Sequence, residues 1–392
     1  MKEFSVIIPT YNFVDVAKEV IVGVLNQTLL PKEIIIIDSS EGNLIQELTN
    51  SLTADIPIIY HKVSRLFPGE ARNKGATLAN YEWLAFLDSK TVPTNSWLKD
   101  SNDFLIQNKL DVVFGSTKYL AKSDFQKSLQ ACTFGKKRIE TTPGSIISSI
   151  NFTRSEGFQE GVRTGEDLAW RQKILYLGFS GSQPDKFTLT YDQLPTKTLD
   201  TLKRFFIYQL HGSRVNIQNT SKNIMLSVFM VFLTILIPKW NALVGWEASP
   251  FYAPNITKFY VSFLILLSLV IIIFRRDLLE KYAGSILYFA FLGVGFCLML
   301  YGAFNWNGAI AGWVEDSVWY VPNITKIYVI FILTCSLLYR GIYFPLTHGI
   351  KKTDLFPFWW LKVALLGLLL DIAKAPGYIL GALMQLLNRK IY

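Results

Sequence analysis

The sequence predicts an α/β domain on a largely parallel sheet, followed by an α-helical membrane part, and three observations carry that prediction. Short runs that are apolar throughout end in a carboxylate or turn formers: Phe4 to Asn12, Ile34 to Asp38, and Trp83 to Asp88. Such runs suit strands buried on both faces of a sheet that helices cover. Stretches of helical spacing lie between them, which gives βαβ units. Residues 1 to about 200 hold most of the acidic groups, whereas 223–345 hold four apolar runs between charged or Trp-rich breaks.

Taking the elements in order, Phe4-Ser5-Val6-Ile7-Ile8-Pro9 is a strand ended by Thr10, Tyr11 and Asn12, and Val16 to Leu25 follows as a helix. Ile34 to Ile37 is a second strand, ending in Asp38 and a turn of Ser39, Ser40, Glu41 and Gly42. A right-handed crossover brings Thr10 to Asn12 and Asp38 to one sheet edge. Pro57 to His61 is a third strand, and Pro68 to Gly75 opens a helix carrying Arg72 and Lys74, groups that suit diphosphate. Trp83 to Leu87 then delivers Asp88 to the mouth of the sheet, where open α/β sheets bind ligands.

With 51% hydrophobic and 14% aromatic residues in 392, the chain is too apolar for one soluble domain and too charged near its start to be all membrane. Its formal charge of +9 gathers beside apolar segments, so anionic lipid headgroups are the expected partner rather than nucleic acid. Cys132, Cys297 and Cys335 form neither a disulfide framework nor a metal spacing, and His61, His211 and His348 have no ligand neighbours. The phosphate-loop and dinucleotide glycine fingerprints are absent.

Val6-Ile7-Ile8-Pro9-Thr10-Tyr11-Asn12, Gln27-Thr28, Glu33 to Asp38, Gly69-Glu70-Ala71-Arg72-Asn73-Lys74-Gly75 and Phe86-Leu87-Asp88-Ser89 resemble the successive motifs of family-2 glycosyltransferases, collinear over roughly residues 4–180. The resemblance implies the Rossmann-like GT-A nucleotide-sugar fold, with a nucleoside diphosphate sugar as partner. It implies that Pro9, Thr10 and Tyr11 border the nucleobase, Asp38 contacts base or ribose, and Arg72 lies near the diphosphate. Asp88 would be the first carboxylate of an Asp-x-Asp motif that holds Mg or Mn. Lys90 stands where that motif has its second Asp. Three readings follow: a metal held through Asp88, water and the diphosphate; Lys90 as the positive charge itself; or a site without activity.

Glu166 and Asp167 precede a helix running to about Gly178, and acidic residues there cap a helix. The resemblance instead places them at the acceptor site, with Asp167 as general base for an inverting transfer and Glu166 orienting it or binding an acceptor hydroxyl. The processive Gln-x-x-Arg-Trp signature is absent after Asp167, which favours single addition.

The expected boundaries are a cytoplasmic catalytic domain, 1–195; an interfacial amphipathic helix, 196–222; four crossings, 223–345; and an amphipathic cytoplasmic tail, 346–392. The first ten residues show no cleaved signal, which keeps the catalytic domain cytoplasmic. The apolar runs are 224–237, 259–274, 283–304 and 327–339. Trp240-Asn241, Gly245-Trp246 and Pro254-Asn255-Ile256-Thr257-Lys258 recur as Trp306-Asn307, Gly312-Trp313 and Pro322-Asn323-Ile324-Thr325-Lys326, which reads as a duplicated helical hairpin, 224–281 and 286–345. In the tail, Lys362, Asp371 and Lys374 favour an interfacial helix ended by Pro376-Gly377, with a span as runner-up. The resulting expectation is a multi-pass (inner) membrane hexosyltransferase-like enzyme acting on a membrane lipid or lipid-linked saccharide in surface-polysaccharide synthesis. A polyprenyl-phosphate sugar synthase and a non-catalytic nucleotide-sugar-binding scaffold are the alternatives.

Overall fold

The computed structural model describes residues 2–12, 14–215, 217, 219–237, 239–254 and 321–386, with 256, 259, 260, 262, 263, 290, 293–298, 301, 302 and 305 between them. Two compact units result: residues 1–225 together with 337–392, and residues 226–336.

The first unit is organised by a mixed sheet. Its strands are β1 (Phe4–Thr10), β2 (Glu33–Asp38), β3 (Ile58–Lys62), β4 (Trp83–Phe86), β5 (Thr91–Pro93), β6 (Val112–Tyr119), β7 (Glu140–Ser148), β8 (Gly181–Ser182) and β9 (Leu189–Tyr191). They lie in the order β3-β2-β1-β4-β7-β6-β9-β5, with β8 on β6. The run β3-β2-β1-β4 is parallel, and β7 then pairs antiparallel with β4. The chain moves outward from β1 to β3 and returns to β4 on the other side of β1, so the crevice at the carboxyl ends of β1 and β4 is a switch point.

Both faces of the parallel run are covered, as all-apolar strands require. Val6, Ile8, Ile34 and Ile36 join one core cluster, and Ile7, Ile35 and Ile37 join the other. The helices are α1 (Val14–Leu25), α2 (Leu44–Ser51), α3 (Pro68–Leu78), α4 (Trp97–Gln107), α5 (Asp124–Thr133), α6 (Ser149–Arg154), α7 (Glu166–Tyr176) and α8 (Thr198–Gly212). A Cβ on Gly75 would strike Ile7, so only glycine lets α3 pack this closely on β1.

Beyond α8 come α9 (Asn219–Leu236), α10 (Trp240–Val244) and α11 (Val321–Leu338), then a π-helical turn, Tyr339–Tyr343. Short helices α12 (Phe344–Thr347) and α13 (Lys352–Leu355) lead to α14 (Trp359–Leu386). Two segments, Val329–Thr347 and Trp359–Gln385, are long and apolar enough to cross a membrane, and Ser221–Leu236 is a shorter apolar helix. Most of the runs 259–274 and 283–304, and the second repeat copy before residue 321, lie outside the described residues. In the first copy the Trp240-Asn241 pair closes its own loop. Trp240 Nε1 donates to Phe251 O at 2.9 Å, and the Asn241 amide exchanges two hydrogen bonds with the backbone of Ala253 at 2.8 and 2.9 Å.

The helix expected at the interface, 196–222, carries an apolar stripe whose Leu199 stays exposed, while Leu202, Phe205 and Tyr208 of α8 pack inside the first unit with Leu129, Cys132, Val363 and Leu370. And α14 does not end at Pro376 but runs through it. Proline lacks the N–H that would complete the helical ladder, yet the close seat of Gly377 and Gly381 on the α8 backbone at Phe206 and Leu210 holds the helix together there.

Candidate functional site

The parallel register places Thr10 opposite Asp38. Thr10 Oγ1 donates to Asp38 Oδ1 at 3.1 Å, which also receives Ser40 N at 2.9 Å; Asp38 Oδ2 receives Tyr60 OH at 2.8 Å and Lys62 Nζ at 3.0 Å. Burial alone raises the carboxyl, but hydrogen bonds from Ser40, Lys62 and Tyr60 outweigh it and hold Asp38 below its ordinary value. Asp38 is fully buried and both its oxygens are engaged by protein, so it braces the strand ends rather than offering a free acceptor. Asn12 takes a left-handed backbone (φ 53°), and its side-chain oxygen accepts from Glu41 N at 3.0 Å, joining the loops after β1 and β2. Pro9 and Tyr11 are half-buried beside it, with Arg65 over the Tyr11 ring at 5.9 Å.

Most residues of the Gly69 to Gly75 motif have a task. Glu70 accepts from Phe67 N at 2.7 Å and from Gly161 N at 3.0 Å, tying the start of α3 to the loop before α7. The Asn73 amide meets the backbone of Phe158 twice, at 2.9 Å each. Gly69 leaves room for Glu166, whose Cγ would lie 3.0 Å from an added Cβ. Arg72 sits between the two carboxylate sites: Nη1 donates to Glu166 Oε1 at 3.0 Å, and Nη2 to Asp88 Oδ1. At 2% exposure Arg72 is buried between the two carboxylates and fixes both of them. Burial works against its charge, and Asp88 and then Glu166 more than restore it.

Residues 88 and 166, far apart in sequence, therefore meet on one guanidinium. Glu166 and Asp167 occupy the first turn of α7, as the capping reading also required. Burial and then Asp167 push the Glu166 carboxyl well above the usual carboxylate range, against the pull of Arg72. Asp167 is half-buried, and its backbone oxygen accepts from Thr142 Oγ1 at 3.1 Å. Lys90, half-buried, is brought down to about 8 by burial and then by Arg204 and Arg163, with Asp88 opposing.

Several neighbours carried no sequence signal. The pairing of Thr91 with Tyr191 brings β9 beside Lys90, and Arg204 Nη1 on α8 donates to Tyr191 OH at 3.4 Å and to Gln193 O at 3.2 Å. Tyr119 and Tyr208 share the field of Asp88 and Asp167, their phenols raised chiefly by burial. One turn on from Asp167 along α7, Arg171 has Nε and Nη1 buried without a hydrogen-bond partner, and Asp167 is the nearest support for its charge. These residues stand on short strands and distant helices, and only the fold assembles them.

A divalent ion requires several oxygen ligands. Asp88 offers one carboxylate, already engaged by Arg72, and Lys90 puts an ammonium two residues on. Among the described residues no group of three or more His, Cys, Asp or Glu is placed to hold a metal. This donor set does not fit a resident divalent ion.

A switch-point sheet with carboxylates and cations at its strand ends has the arrangement at which open α/β sheets bind ligands. Residues 5–167 match the model of glycosyl transferase family 2. A glycosyltransferase of Rickettsia felis, uncharacterised by name, is 31% identical over 173 residues, 42% of this chain and 28% of the relative. The poly(ribitol-phosphate) beta-glucosyltransferase of Bacillus spizizenii is 27% identical over 133 residues, 32% of this chain and 21% of the relative. The crystal structure of S. aureus TarS 1–349 in complex with UDP-GlcNAc shares 17% identity and a TM-score of 0.40, covering 67% of this chain and 80% of that one. The chain spans 28% and 25% of the length of the two Rickettsia relatives from R. felis and R. bellii.

Proposed function

We propose that the chain is a membrane-bound inverting glycosyltransferase that moves a sugar from a nucleoside diphosphate sugar to a lipid-linked acceptor. The observation that carries this reading is Arg72, whose single guanidinium joins Asp88 on the donor side to Glu166, next to Asp167, on the acceptor side. In this reading Asp167 takes the proton of an acceptor hydroxyl while the oxygen attacks the anomeric carbon. The bond to the diphosphate breaks on the opposite face and the nucleoside diphosphate leaves with the electron pair. Lys90, with Arg163 and Arg204 within its electrostatic reach, supplies positive charge toward the departing phosphates. Glu166, fixed by Arg72, holds the first turn of α7 so that Asp167 faces the acceptor.

The experiment is nucleoside diphosphate release by the full chain, given mixed nucleotide-sugar donors and membrane lipid acceptors. Asp167→Asn is expected to lower kcat by roughly 10²–10⁴-fold while leaving donor affinity unchanged, the loss associated with a general base. Donor binding without turnover for any pairing would refute the transferase reading and favour a binding scaffold.

A further inference from the structure

A second surface of the first unit has the two-sided chemistry of an anionic amphiphile site. Between α5 and α14 runs a groove of about 710 Å³, a size that accommodates a small organic ligand. Its floor is apolar, from Phe125, Trp359, Leu365, Leu366 and Leu369, and its rim carries Lys127, Lys136 and Lys362. Trp359 Nε1 donates to Ser128 Oγ at 2.9 Å, which fixes the indole at one end.

Charge and continuity identify the occupant. Lys136 also borders an adjoining groove of about 480 Å³ that adds Lys118, Lys122 and Lys137. Asp124 and Asp354 face the first groove, paired with Lys127 at 3.1 Å and Lys136 at 3.7 Å. Asp124 is 96% exposed and Asp354 43%, and such solvated pairs exchange readily for a stronger anion. Leu365 and Leu369 belong to the groove and also to the exposed stripe of α14 that includes Leu361, Leu380 and Leu383. This is one of the two segments, among the described residues, long and apolar enough to cross a membrane. A chain lying on Leu366 therefore leads onto an apolar helix face, with its headgroup among the lysines.

We propose that this groove binds one lipid phosphate, with the phosphate at Lys127, Lys136 and Lys362 and a hydrocarbon chain along Leu365, Leu366 and Leu369. This inference rests on the membrane association proposed above. Its test is native mass spectrometry of the full chain in detergent, offered phosphatidylglycerol, phosphatidylcholine with the same acyl chains, or inorganic phosphate. One phosphatidylglycerol is expected to be retained, about tenfold or more above phosphatidylcholine, as several lysines near a headgroup imply. The triple variant Lys127→Gln, Lys136→Gln, Lys362→Gln should lose that preference, the corresponding arginine triple should keep it, and Leu366→Trp, which fills the floor, should lower retention. Equal retention of both lipids, displacement of lipid by inorganic phosphate, or an unaffected glutamine triple would overturn the proposal. A chain released from membranes without detergent defeats the membrane reading itself; one that needs detergent yet retains no anionic lipid defeats only the groove.

Discussion

Asp38 ends β2 with no exposure and hydrogen bonds from Thr10, Ser40, Tyr60 and Lys62, so folding stabilises its ionised form. An acid held below its ordinary value of 3.8 contributes stability above that pH and loses it as pH falls through the folded value. Asp38→Asn is therefore expected to cost about 1–3 kcal/mol at neutral pH, with the gap to the parent closing below about pH 4, read by thermal unfolding across pH. Lys90 supports a second prediction at this scale. Release of nucleoside diphosphate should survive a chelator, and Lys90→Ala should lower kcat by roughly 10²-fold, the cost of losing one prepositioned charge. Activity abolished by chelation would show that a metal does this work instead. Asp88, Glu166 and Asp167 were legible as candidates because they follow an apolar strand or open a helix, and Lys90 only through the motif it interrupts. Tyr119, Tyr191, Arg163 and Arg171 were not, since nothing local distinguishes them from surface residues, and Arg204 was visible only as a flank of the α8 stripe.

At the scale of elements, the apolar strands β1, β2 and β4 are readable because burial on both faces leaves mostly apolar residues, and the start of α3 because Pro68 and Gly69 mark it. The three-residue strands β5 and β9 escape, being too short for any period, although their pairing sets Lys90 beside Tyr191. The join between α14 and the turn after α11 escapes for another reason: polar residues inside apolar stretches read as interfacial until their partner is known. Arg340 meets Asp371 through two hydrogen bonds of 2.7 Å, with Lys374 at 3.5 Å from the same carboxylate. Gly367 lies against the Arg340 stem, where a Cβ would come within 2.9 Å. Removing one partner of a buried pair strands the other. Asp371→Ala should therefore lower stability by about 3–5 kcal/mol, and Arg340→Met combined with Asp371→Leu and Lys374→Met should recover most of it. Unfolding in detergent measures both.

For the whole molecule, the segregation of charge and apolar runs suggests a soluble part and a membrane part, but the sharing of the tail with the body of the first unit was not readable. Contacts between residues near 130, 205 and 365 are invisible to a linear pattern. If the apolar segments are embedded as proposed, the full chain should stay with the membrane through high salt and alkaline carbonate and leave only with detergent, as fractionation and immunoblotting would reveal. Release by salt alone would reduce its attachment to surface electrostatics.

The first unit is assembled from two stretches of chain, with Met225 and Leu337 both counted in it and residues 226–336 set between them. A strand of rope that starts and finishes on the same bank has crossed the river an even number of times. If the apolar segments are embedded as proposed, the same parity binds the stretch between Ser221 and Thr347, because Lys136 and Lys137 are hydrogen-bonded to His348 just beyond it, so tags placed before Ser221 and after Ile350 should be reachable from one compartment alone.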